Sequence, residues 1–320
     1  MKIFRGIAAG LMLLTATAAM AVYPDHPVRI IVAFPPAGAS DIIARLLAKE
    51  LTTELGQTFF VENKGGAAGV VGTDLVAKSK PDGYTIMMTP SGPVASGLAL
   101  LKDVPYDPVR DFTPISRLAT SDIVLVASTK FAPQTFQDFV AAAKANPGTI
   151  SAELNSIGSI HHLLTELMRE KIGAKLLLVP YKGTGPAVLD LIGGHVQVGF
   201  ESVVSVIEQL KAKQLRALAV ATEQRVAALP DVPTLKELGY PDLVALPWWA
   251  LVAPRGTPKE VIDILSSAWA KIAKDPKVQE QFAAQGMLAG WMSPPETANY
   301  FKAEVERWAT VAKETGAKAE

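Results

Sequence analysis

The sequence predicts an α/β protein built as two lobes, each with a sheet of parallel strands and helices on both faces. Apolar, β-rich runs alternate with segments whose apolar residues recur at helical spacing, which is typical of parallel sheets. This alternation occurs in two series, separated by a stretch that contains Asp107-Pro108 and Thr113-Pro114. No segment of about 20–50 residues repeats, so a repeat architecture is not indicated.

The first series contains three predicted strands and one long amphipathic helix. The strand Val28–Phe34 is an apolar run, and the helix Asp41–Leu55 follows it. The strands Thr58–Val61 and Tyr84–Met88 come next, with the glycine-rich segment Lys64–Gly72 between them. That segment lacks the Gly-Lys-Ser/Thr ending of a phosphate loop and the spacing of a dinucleotide fingerprint, so we interpret it as a turn that opens a short helix.

The second series continues the pattern beyond residue 122. Its predicted elements are the strand Ile123–Ala127, helix Phe136–Ala145, strand Ile150–Ala152, helix Ile160–Lys171, strand Leu176–Val179, helix Pro186–Leu191, strand Val196–Phe200, helix Ser202–Lys211 and strand Leu215–Ala221. Two lobes need more than one connection, and we take Asp122–Ala127 as the first crossing and the strand-like Trp248–Ala253 as the return. Helices from Pro258, Asp275 and Pro295 then complete the first lobe.

The amino terminus is typical of a secretory signal peptide. Lys2 and Arg5 form a basic start, and small apolar residues lead to Ala19-Met20-Ala21, a pattern that signal peptidase cleaves. The apolar run is short for a membrane span of about 20 residues, so an uncleaved anchor is the less favoured alternative. We predict an exported protein that is cleaved near Ala21.

The charge and the cysteine content exclude several classes of function. Without Lys2 and Arg5 the chain has 29 basic and 31 acidic residues, a formal charge of −2. This balance gives no electrostatic footprint for nucleic acid or for an anionic membrane surface. The chain has 0 cysteines, which excludes disulfides, thiolate catalysis and cysteine-based zinc sites.

The loop between the first strand and the first helix is the best candidate for a binding site. After Pro35-Pro36 it consists of small residues that lead into the helix at Asp41: Ala37, Gly38, Ala39 and Ser40. Small side chains leave backbone N–H groups uncovered at a helix N-terminus, where the helix dipole favours negative charge. The loop therefore predicts an anion pocket. No general base, nucleophile or metal ligand set lies nearby, which favours binding over catalysis.

A second loop, Asn155–His162, takes the same position in the other lobe, after a strand and before a helix. Ligands of open α/β sheets bind at the carboxyl ends of strands, so the two loops can face each other across a cleft. Ser156 or Ser159 can equally serve only to cap the helix. The adjacent His161 and His162 point in different directions on a helix, which disfavours a metal site. No Gly-x-Ser-x-Gly motif surrounds Ser159, which disfavours hydrolysis.

A third loop, Val179–Ala187, brings Tyr181 or Thr184 within reach of the same cleft. Glu201 directly follows a predicted strand and so lies where strand ends meet the cleft. An acid there would favour a ligand that carries an amine or hydroxyl group. Alternatively, Glu201 only caps the next helix.

Taken together, these segments resemble the Bug-type periplasmic solute receptors of the tripartite tricarboxylate transporter family. The matching stretches are Tyr23-Pro with Pro27-Val-Arg-Ile-Ile-Val, Phe34-Pro-Pro-Ala-Gly-Ala-Ser-Asp41, Val61-Glu-Asn-Lys-Gly, Lys80-Pro-Asp-Gly-Tyr, Val179-Pro-Tyr-Lys-Gly-Thr-Gly-Pro, Leu215-Arg-Ala-Leu-Ala-Val and Leu229-Pro-Asp-Val-Pro-Thr. The resemblance covers essentially the whole mature chain, and it implies a type II periplasmic-binding-protein fold with two Rossmann-like lobes that close on a small carboxylate.

The resemblance also implies how the chain is divided and where it departs from the family. The limits are a signal peptide at 1–21, lobe 1 at 22–122, lobe 2 at 123–247, and a return segment at 248–320 that completes lobe 1. Ala37 and Ala39 replace glycines of the family loop, Ile160 and His161 replace Ser and Thr, and Glu201 stands where Asp is common. We expect these differences to affect the choice of ligand more than the fold.

The predicted function is capture of a small di- or tricarboxylate, amino acid or aromatic acid and delivery to membrane subunits of a transporter. The alternatives are a sensory receptor that docks on a signalling protein and, less favoured, an exported hydrolase. We predict no enzymatic activity and no cofactor, metal or nucleic-acid partner. We predict that the protein is a monomer. The predicted ligand-binding residues are Phe34, Ala37, Gly38, Ala39, Ser40, Asp41, Ser91, Ser156, Gly158, Ser159, His161, Tyr181, Thr184 and Glu201.

Overall fold

The computed structural model describes residues 23–36, 39–101, 103–181, 183–284 and 286–318. The predicted signal peptide, residues 1–21, lies outside this range, and so do Ala37 and Gly38 of the first predicted binding loop. None of the helices in the described ranges combines the length and apolar character that a membrane span requires.

The described strands and helices alternate along most of the chain. The strands are β1 (Val28–Val32), β2 (Phe59–Asn63), β3 (Thr85–Pro90), β4 (Phe112–Thr120), β5 (Ile123–Ser128), β6 (Ser151–Leu154), β7 (Leu177–Pro180), β8 (Val198–Ser202), β9 (Leu215–Val220), β10 (Trp248–Pro254) and β11 (Leu288–Ala289). The helices are α1 (Ala39–Leu55), α2 (Val70–Ala77), α3 (Ser91–Val94), α4 (Phe136–Ala145), α5 (Ile160–Ile172), α6 (Thr184–Gly193), α7 (Val203–Lys211), α8 (Lys259–Ile272), α9 (Pro276–Ala284) and α10 (Pro294–Thr315).

The strands form two sheets of mixed direction. The six-stranded sheet has the order β11-β4-β10-β3-β1-β2, and the five-stranded sheet has the order β7-β6-β8-β5-β9. β1 pairs in parallel with β2 and β3, and β6 pairs in parallel with β7 and β8. β10 and β5 are antiparallel to both of their neighbours. The prediction of parallel sheets is therefore wrong for the pairs that β10 and β5 form. The chain enters each of these two strands directly from the other sheet, without the crossover helix that a parallel connection uses.

Strand β4 was not among the predicted strands. It lies between β10 and β11, and Pro114 interrupts its sequence pattern. Pro114 faces Val252, next to a register shift between β4 and β10. Proline is tolerated in a sheet at such irregularities because its missing N–H need not join the ladder. Because of this proline, the sequence pattern did not indicate a strand that the structure contains.

The chain crosses between the two sheets at two adjacent places. The first crossing lies between β4 and β5, at Ser121 and Asp122, and the return lies just before β10, at Pro247. The Ser121 N–H donates to the Pro247 carbonyl at 2.9 Å, so the two connections run side by side. Apart from Asp122, the predicted crossing segments belong to the sheets themselves, as parts of β5 and β10. We propose that lobe 1 consists of residues 22–122 and 248–320 and that lobe 2 consists of residues 123–247.

Helix α10 joins the two sheets through a shared hydrophobic core. One cluster of buried residues includes Phe301 and Trp308 of α10 together with residues of both sheets. Glu304 of α10 is only 7% exposed and accepts hydrogen bonds from Nε1 of Trp248 and of Trp308, each at 3.0 Å. Two indole donors satisfy one buried carboxylate, as burial of a charge requires. This contact fixes the start of β10, which borders the cleft described next.

Candidate ligand-binding cleft

A cavity of about 550 Å³ lies between segments that belong to the two sheets. Its wall is formed by Phe34, Ala68, residues 90–93, Gly97, Leu100, Leu101, Ser121, residues 156–161, Thr184, Ser202, Ser205, residues 247–249, Gly286 and Met287. Most of these residues follow the carboxyl end of a strand, namely β1, β3, β6, β7 or β8. The cavity therefore occupies the position at which open α/β sheets bind ligands.

The cavity wall is largely apolar and offers neutral hydrogen-bonding groups. Among the described residues that form it, none is Lys, Arg, Asp or Glu, and His161 is the one titratable side chain. Trp248 and Trp249 supply flat apolar surface, and the Trp249 Nε1 is buried without a hydrogen-bond partner in the described chain. Among the described residues of the wall, the groups that can hold an anion are therefore hydroxyl, backbone and ring N–H donors and not a charged side chain.

The hydroxyl groups of the wall fall into two sets. Three donate their proton within the protein: Ser121 to the Gly286 carbonyl at 2.9 Å, Ser159 to the Ser156 carbonyl at 2.8 Å, and Thr184 to Glu201 at 2.9 Å. Four have side chains that form no hydrogen bond with the described residues: Ser91, Ser156, Ser202 and Ser205. The members of the second set are free to donate to a ligand.

The N-terminus of α5 forms one side of the cavity. Ser159 is its N-cap, and its Oγ accepts from the His162 N–H at 3.2 Å. The Gly158 N–H donates to Nδ1 of His162 at 3.2 Å, and Gly158 has φ +80, which favours glycine. The capping interpretation of Ser159 is thus supported by its contacts. His162, only 2% exposed, acts inside the protein rather than at the cavity wall.

His161 lies at the cavity wall, with its Nε2 buried and without a hydrogen-bond partner among the described residues. Burial lowers the pKa of His161 to about 4, since a low-dielectric environment disfavours the imidazolium. The ring is therefore neutral near pH 7 before a ligand binds. Each neutral imidazole has one donor nitrogen and one acceptor nitrogen, so His161 can still hydrogen-bond a ligand.

Glu201 lies behind the cavity wall rather than at it. The residue is 0% exposed, and one carboxylate oxygen accepts from Thr184 Oγ1 at 2.9 Å and from Asn155 Nδ2 at 3.2 Å. The pKa of Glu201 is raised to about 7, because burial raises it by more than these two hydrogen bonds lower it. Glu153 on the neighbouring strand is also buried, and burial and the charge of Glu201 raise its pKa well above the usual value.

The structure brings seven of the predicted site residues together at the cavity: Phe34, Ser91, Ser156, Gly158, Ser159, His161 and Thr184. Asp41 does not line it, because its carboxylate bonds to Arg45 Nε and Asn63 Nδ2, both at 2.9 Å. Ser40 lies in the first turn of α1 and is not part of the cavity wall, and Ala39 begins that helix. Tyr181 is also outside, because its hydroxyl donates to Asp190 at 2.6 Å.

Sequence reasoning missed several parts of the wall. Ala68 belongs to the glycine-rich segment that we interpreted as a turn, and its φ of 54 is unusual for a residue with a Cβ. That segment both turns the chain and lines the cavity. Trp248 and Trp249 were predicted only as part of a crossing strand, and Met287 follows α9. No local motif marks such apolar wall residues, because the fold brings them together from distant positions.

The two sides of the cleft touch each other at its rim. Ser96, which follows β3, donates through its hydroxyl to the Gly158 carbonyl at 3.3 Å. A Cβ on Gly158 would lie 3.5 Å from the Gly97 Cα, so the backbones approach closely there. On the other side, a Cβ on Gly286 would lie 2.5 Å from the Val204 side chain. The structure therefore shows the cleft with its rims in contact.

The arrangement of groups fits binding better than catalysis. The Ser159 hydroxyl donates to a backbone carbonyl and not to a histidine, so it is not part of a Ser–His relay. Within the described ranges, no group of three or more His, Asp or Glu residues is placed to hold a metal ion.

Comparison with known proteins assigns the chain to a family. Residues 43–317 match the model of the tripartite tricarboxylate transporter family receptor, and the chain belongs to this family. It is 43% identical to the protein BugT of Bordetella pertussis, over 92% of this chain and 91% of BugT. The resemblance seen in the sequence is confirmed. The members of this family are periplasmic solute receptors.

Solved structures confirm the fold class. A Rhodopseudomonas palustris protein solved with adipate superposes with a TM-score of 0.80 at 31% identity, over 92% of this chain and 99% of that chain. MatC of the same organism, solved with bound malate, gives a TM-score of 0.77 at 29% identity, over 90% of this chain and 99% of that chain. This chain thus has the two-lobed α/β fold of periplasmic binding proteins.

Proposed function

We propose that this receptor captures a small organic carboxylate in the cleft and delivers it to the membrane subunits of a tripartite tricarboxylate-type transporter. The observation that carries the proposal is the composition of the cavity wall. Four hydroxyls without a hydrogen-bond partner among the described residues belong to a largely apolar wall, in which the described residues place no charged side chain. Such a wall can hold a carboxylate reversibly through neutral donors while it buries the hydrocarbon part of the ligand.

The magnitudes agree with reversible capture. Four hydrogen bonds to a charged group contribute about 1.5–3 kcal/mol each, or about 6–12 kcal/mol before the cost of association. A micromolar dissociation constant corresponds to about 8 kcal/mol net. Hydrogen bonds and burial of ligand hydrocarbon against Trp248, Trp249 and Leu100 are sufficient for this range.

The relatives support a carboxylate ligand. Two structurally similar proteins were solved with the dicarboxylates adipate and malate. The present chain shares their fold, and its cavity lies where the two sheets meet. We propose that it acts in the periplasm as a monomer and without catalysis. A sensory role would use the same capture step and differ only in the partner that recognises the closed protein.

A panel of ligands tests the proposal. We expect thermal stabilisation and calorimetric heat with organic acids such as succinate and adipate, and no response to the matching diamides or to neutral sugars. Ser91→Ala should weaken binding of the best acid about 10- to 150-fold, because it removes one uncommitted donor to a charged group. Ser79→Ala, which lies outside the cavity wall, is the matched control and should change affinity less than about twofold.

Two outcomes would contradict the proposal. Selective binding of a neutral sugar would show that the cavity does not require an acid. Equal loss of affinity in Ser91→Ala and Ser79→Ala would place the ligand elsewhere. Delivery is tested by deleting the gene in cells that grow on the best acid, since loss of uptake is expected for a transport receptor and not for a sensor of that acid.

A further inference from the structure

The hydrogen bonds behind the cavity wall have a fixed direction. Thr184 Oγ1 lies 2.9 Å from a carboxylate oxygen of Glu201, which is 0% exposed. An ionised carboxylate accepts hydrogen bonds only, so the Thr184 hydroxyl is the donor. A hydroxyl has one proton, and Thr184 has committed it to the protein interior. What Thr184 can offer to a ligand is therefore a lone pair.

A second hydroxyl is oriented through the same carboxylate. Asn155 Nδ2 donates to Glu201 at 3.2 Å, which turns the amide oxygen of Asn155 toward Ser159 Oγ at 3.3 Å. Ser159 Oγ has two further near neighbours: the Ser156 carbonyl, an acceptor at 2.8 Å, and the His162 N–H, which donates to it at 3.2 Å and takes up one of its two lone pairs. Ser159 therefore donates inward as well. Two cavity hydroxyls on this side, those of Thr184 and Ser159, act as hydrogen-bond acceptors toward a ligand.

The neighbouring Glu153 supports the assignment of charge to Glu201. Glu153 is 1% exposed, and neither of its carboxyl oxygens has a hydrogen-bond partner in the described chain. Its register partner on β8 is Gly199, where a Cβ would lie 2.2 Å from a Glu153 carboxyl oxygen. Two buried carboxyls on adjacent strands do not both ionise readily. The one without donors keeps its proton, and the one with two donors carries the charge.

We propose that Glu201 makes Thr184 a hydrogen-bond acceptor in the cleft, so that the receptor prefers carboxylates with a hydroxyl or ammonium group over the same acids without one. This inference rests on the proposed function and names the ligand class of the same site. The carboxylate is held by the uncommitted hydroxyls, and the added donor group is recognised by Thr184. Glu201 acts as a positioning residue, because it does not line the cavity itself.

Matched ligand pairs test the inference. The probes are succinate against malate and aspartate, glutarate against 2-hydroxyglutarate, and phenylacetate against mandelate, and the pair that binds best is used for the variants. We expect the wild-type protein at about pH 8 to bind the donor-bearing member at least about fivefold more tightly. Glu201→Gln should reduce that preference to less than about twofold, because an amide can donate to Thr184 as well as accept.

Three control variants separate positioning from general damage. Glu153→Gln should keep the preference, since it replaces a carboxyl that already holds its proton. Thr184→Val should lose the preference and Thr184→Ser should keep it, because only the serine retains the hydroxyl. Thermal melting and circular dichroism check that each variant is folded.

A pH series adds a readout that a purely structural role would not change. The preference of the wild-type protein for the donor-bearing acid should fall as the pH is lowered from about 8 to about 6. A protonated Glu201 can donate as well as accept a hydrogen bond, so it no longer keeps Thr184 as an acceptor toward the ligand. The preference of Glu201→Gln should stay flat. The ionisable groups on the elements that pack against β8, or next to those elements, are present in both proteins: Asp122, Glu153, His161, His162, Glu166, Arg169, Glu170, Lys171, Tyr181, Asp190, Glu208 and Lys211. The charge of Glu201 acts on the pKa of Glu153, so the same pH series in Glu153→Gln accounts for that residue.

The outcomes distinguish this inference from the proposed function. Equal affinity for both members of every pair in the wild type would overturn the inference and leave the proposed function standing. An equal loss of affinity for both members in Glu201→Gln, with the preference kept, would also overturn it. If no acid of any pair binds, the proposed function itself fails, and the inference fails with it.

Discussion

His161 shows how burial changes the chemistry that a residue type suggests. From the sequence we expected His161 to bind the ligand, and the structure places it at the cavity wall. A charge on its ring at pH 6–7 is not supported, because burial holds the pKa of His161 at about 4. A carboxylate beside the ring would raise that pKa. Protonation of His161 should therefore increase the affinity for a diacid only at a pH below the usual pKa range of histidine.

The lowered pKa of His161 also predicts the pH dependence of stability. Its folded-state pKa of about 4 lies below the unfolded value, so the unfolded chain binds more protons between about pH 4 and about pH 6.5. The ligand-free protein should therefore lose stability as the pH falls through this window. In denaturant unfolding, His161→Gln should lose about 1–2 kcal/mol less than the wild type between about pH 7 and about pH 5. An identical pH dependence in the two proteins would show that His161 is not buried as a neutral ring.

Individual polar residues at the cleft were predictable from sequence only in part. The position of Ser91, Ser156 and Thr184 after strand ends follows from the topology of an α/β sheet. The direction in which a hydroxyl donates does not follow from position, because it depends on partners such as Glu201 that the fold supplies. Asp41 and Tyr181 satisfy the same positional rule, yet their polar atoms bond to Arg45, Asn63 and Asp190 instead of facing the cavity.

At the level of single elements, the N-terminus of α5 contributes both to the stability of the fold and to the binding of the ligand. Ser159→Ala should lower the free energy of unfolding by about 1 kcal/mol, because it removes the N-cap contact to the His162 N–H. Thr135→Ala offers a matched control, since Thr135 caps α4 with a capping box and lies outside the cavity wall. Both variants should lose similar stability in denaturant unfolding, while only Ser159→Ala should change the affinity for a carboxylate. An equal effect of both on affinity would contradict a local role of the α5 N-terminus.

The elements with strong local patterns were predictable, and those defined by the rest of the sheet were not. Helices α4 and α7 begin within a residue of the predicted positions, since apolar spacing marks them along the chain. Strand β4 carries Pro114, and β11 contains only two residues, so neither has a pattern of its own. Both exist because β10 and β4 offer an edge with which they can pair.

For the whole molecule, the contact between the two rims predicts closure around the ligand. The Ser96 hydroxyl bonds to the Gly158 carbonyl across the cleft, and two side-by-side connections join the sheets. Domain closure of this kind moves rigid bodies about a hinge. Small-angle scattering should give a smaller radius of gyration with a saturating carboxylate than without it. An unchanged profile at proven saturation would contradict ligand-driven closure.

The cross-cleft hydrogen bond itself should contribute a small part of the affinity. Ser96→Ala removes the bond to Gly158 and should weaken carboxylate binding about 2- to 10-fold in calorimetry, because only the closed form contains it. The free energy of unfolding without ligand should change little if the cleft opens when empty. A loss of stability without a loss of affinity would show that the contact is permanent and not part of closure.

The central claim, that the cleft holds a small carboxylate through neutral donors, can be tested most directly by identifying what the protein binds in its own compartment. The protein is purified from periplasm without refolding, and the small molecules that it releases on denaturation are identified by mass spectrometry. The account predicts an organic acid that is retained by the wild type and depleted in Ser91→Ala. Retention of a neutral sugar or a cationic molecule, at one equivalent and lost in the same variant, would contradict it.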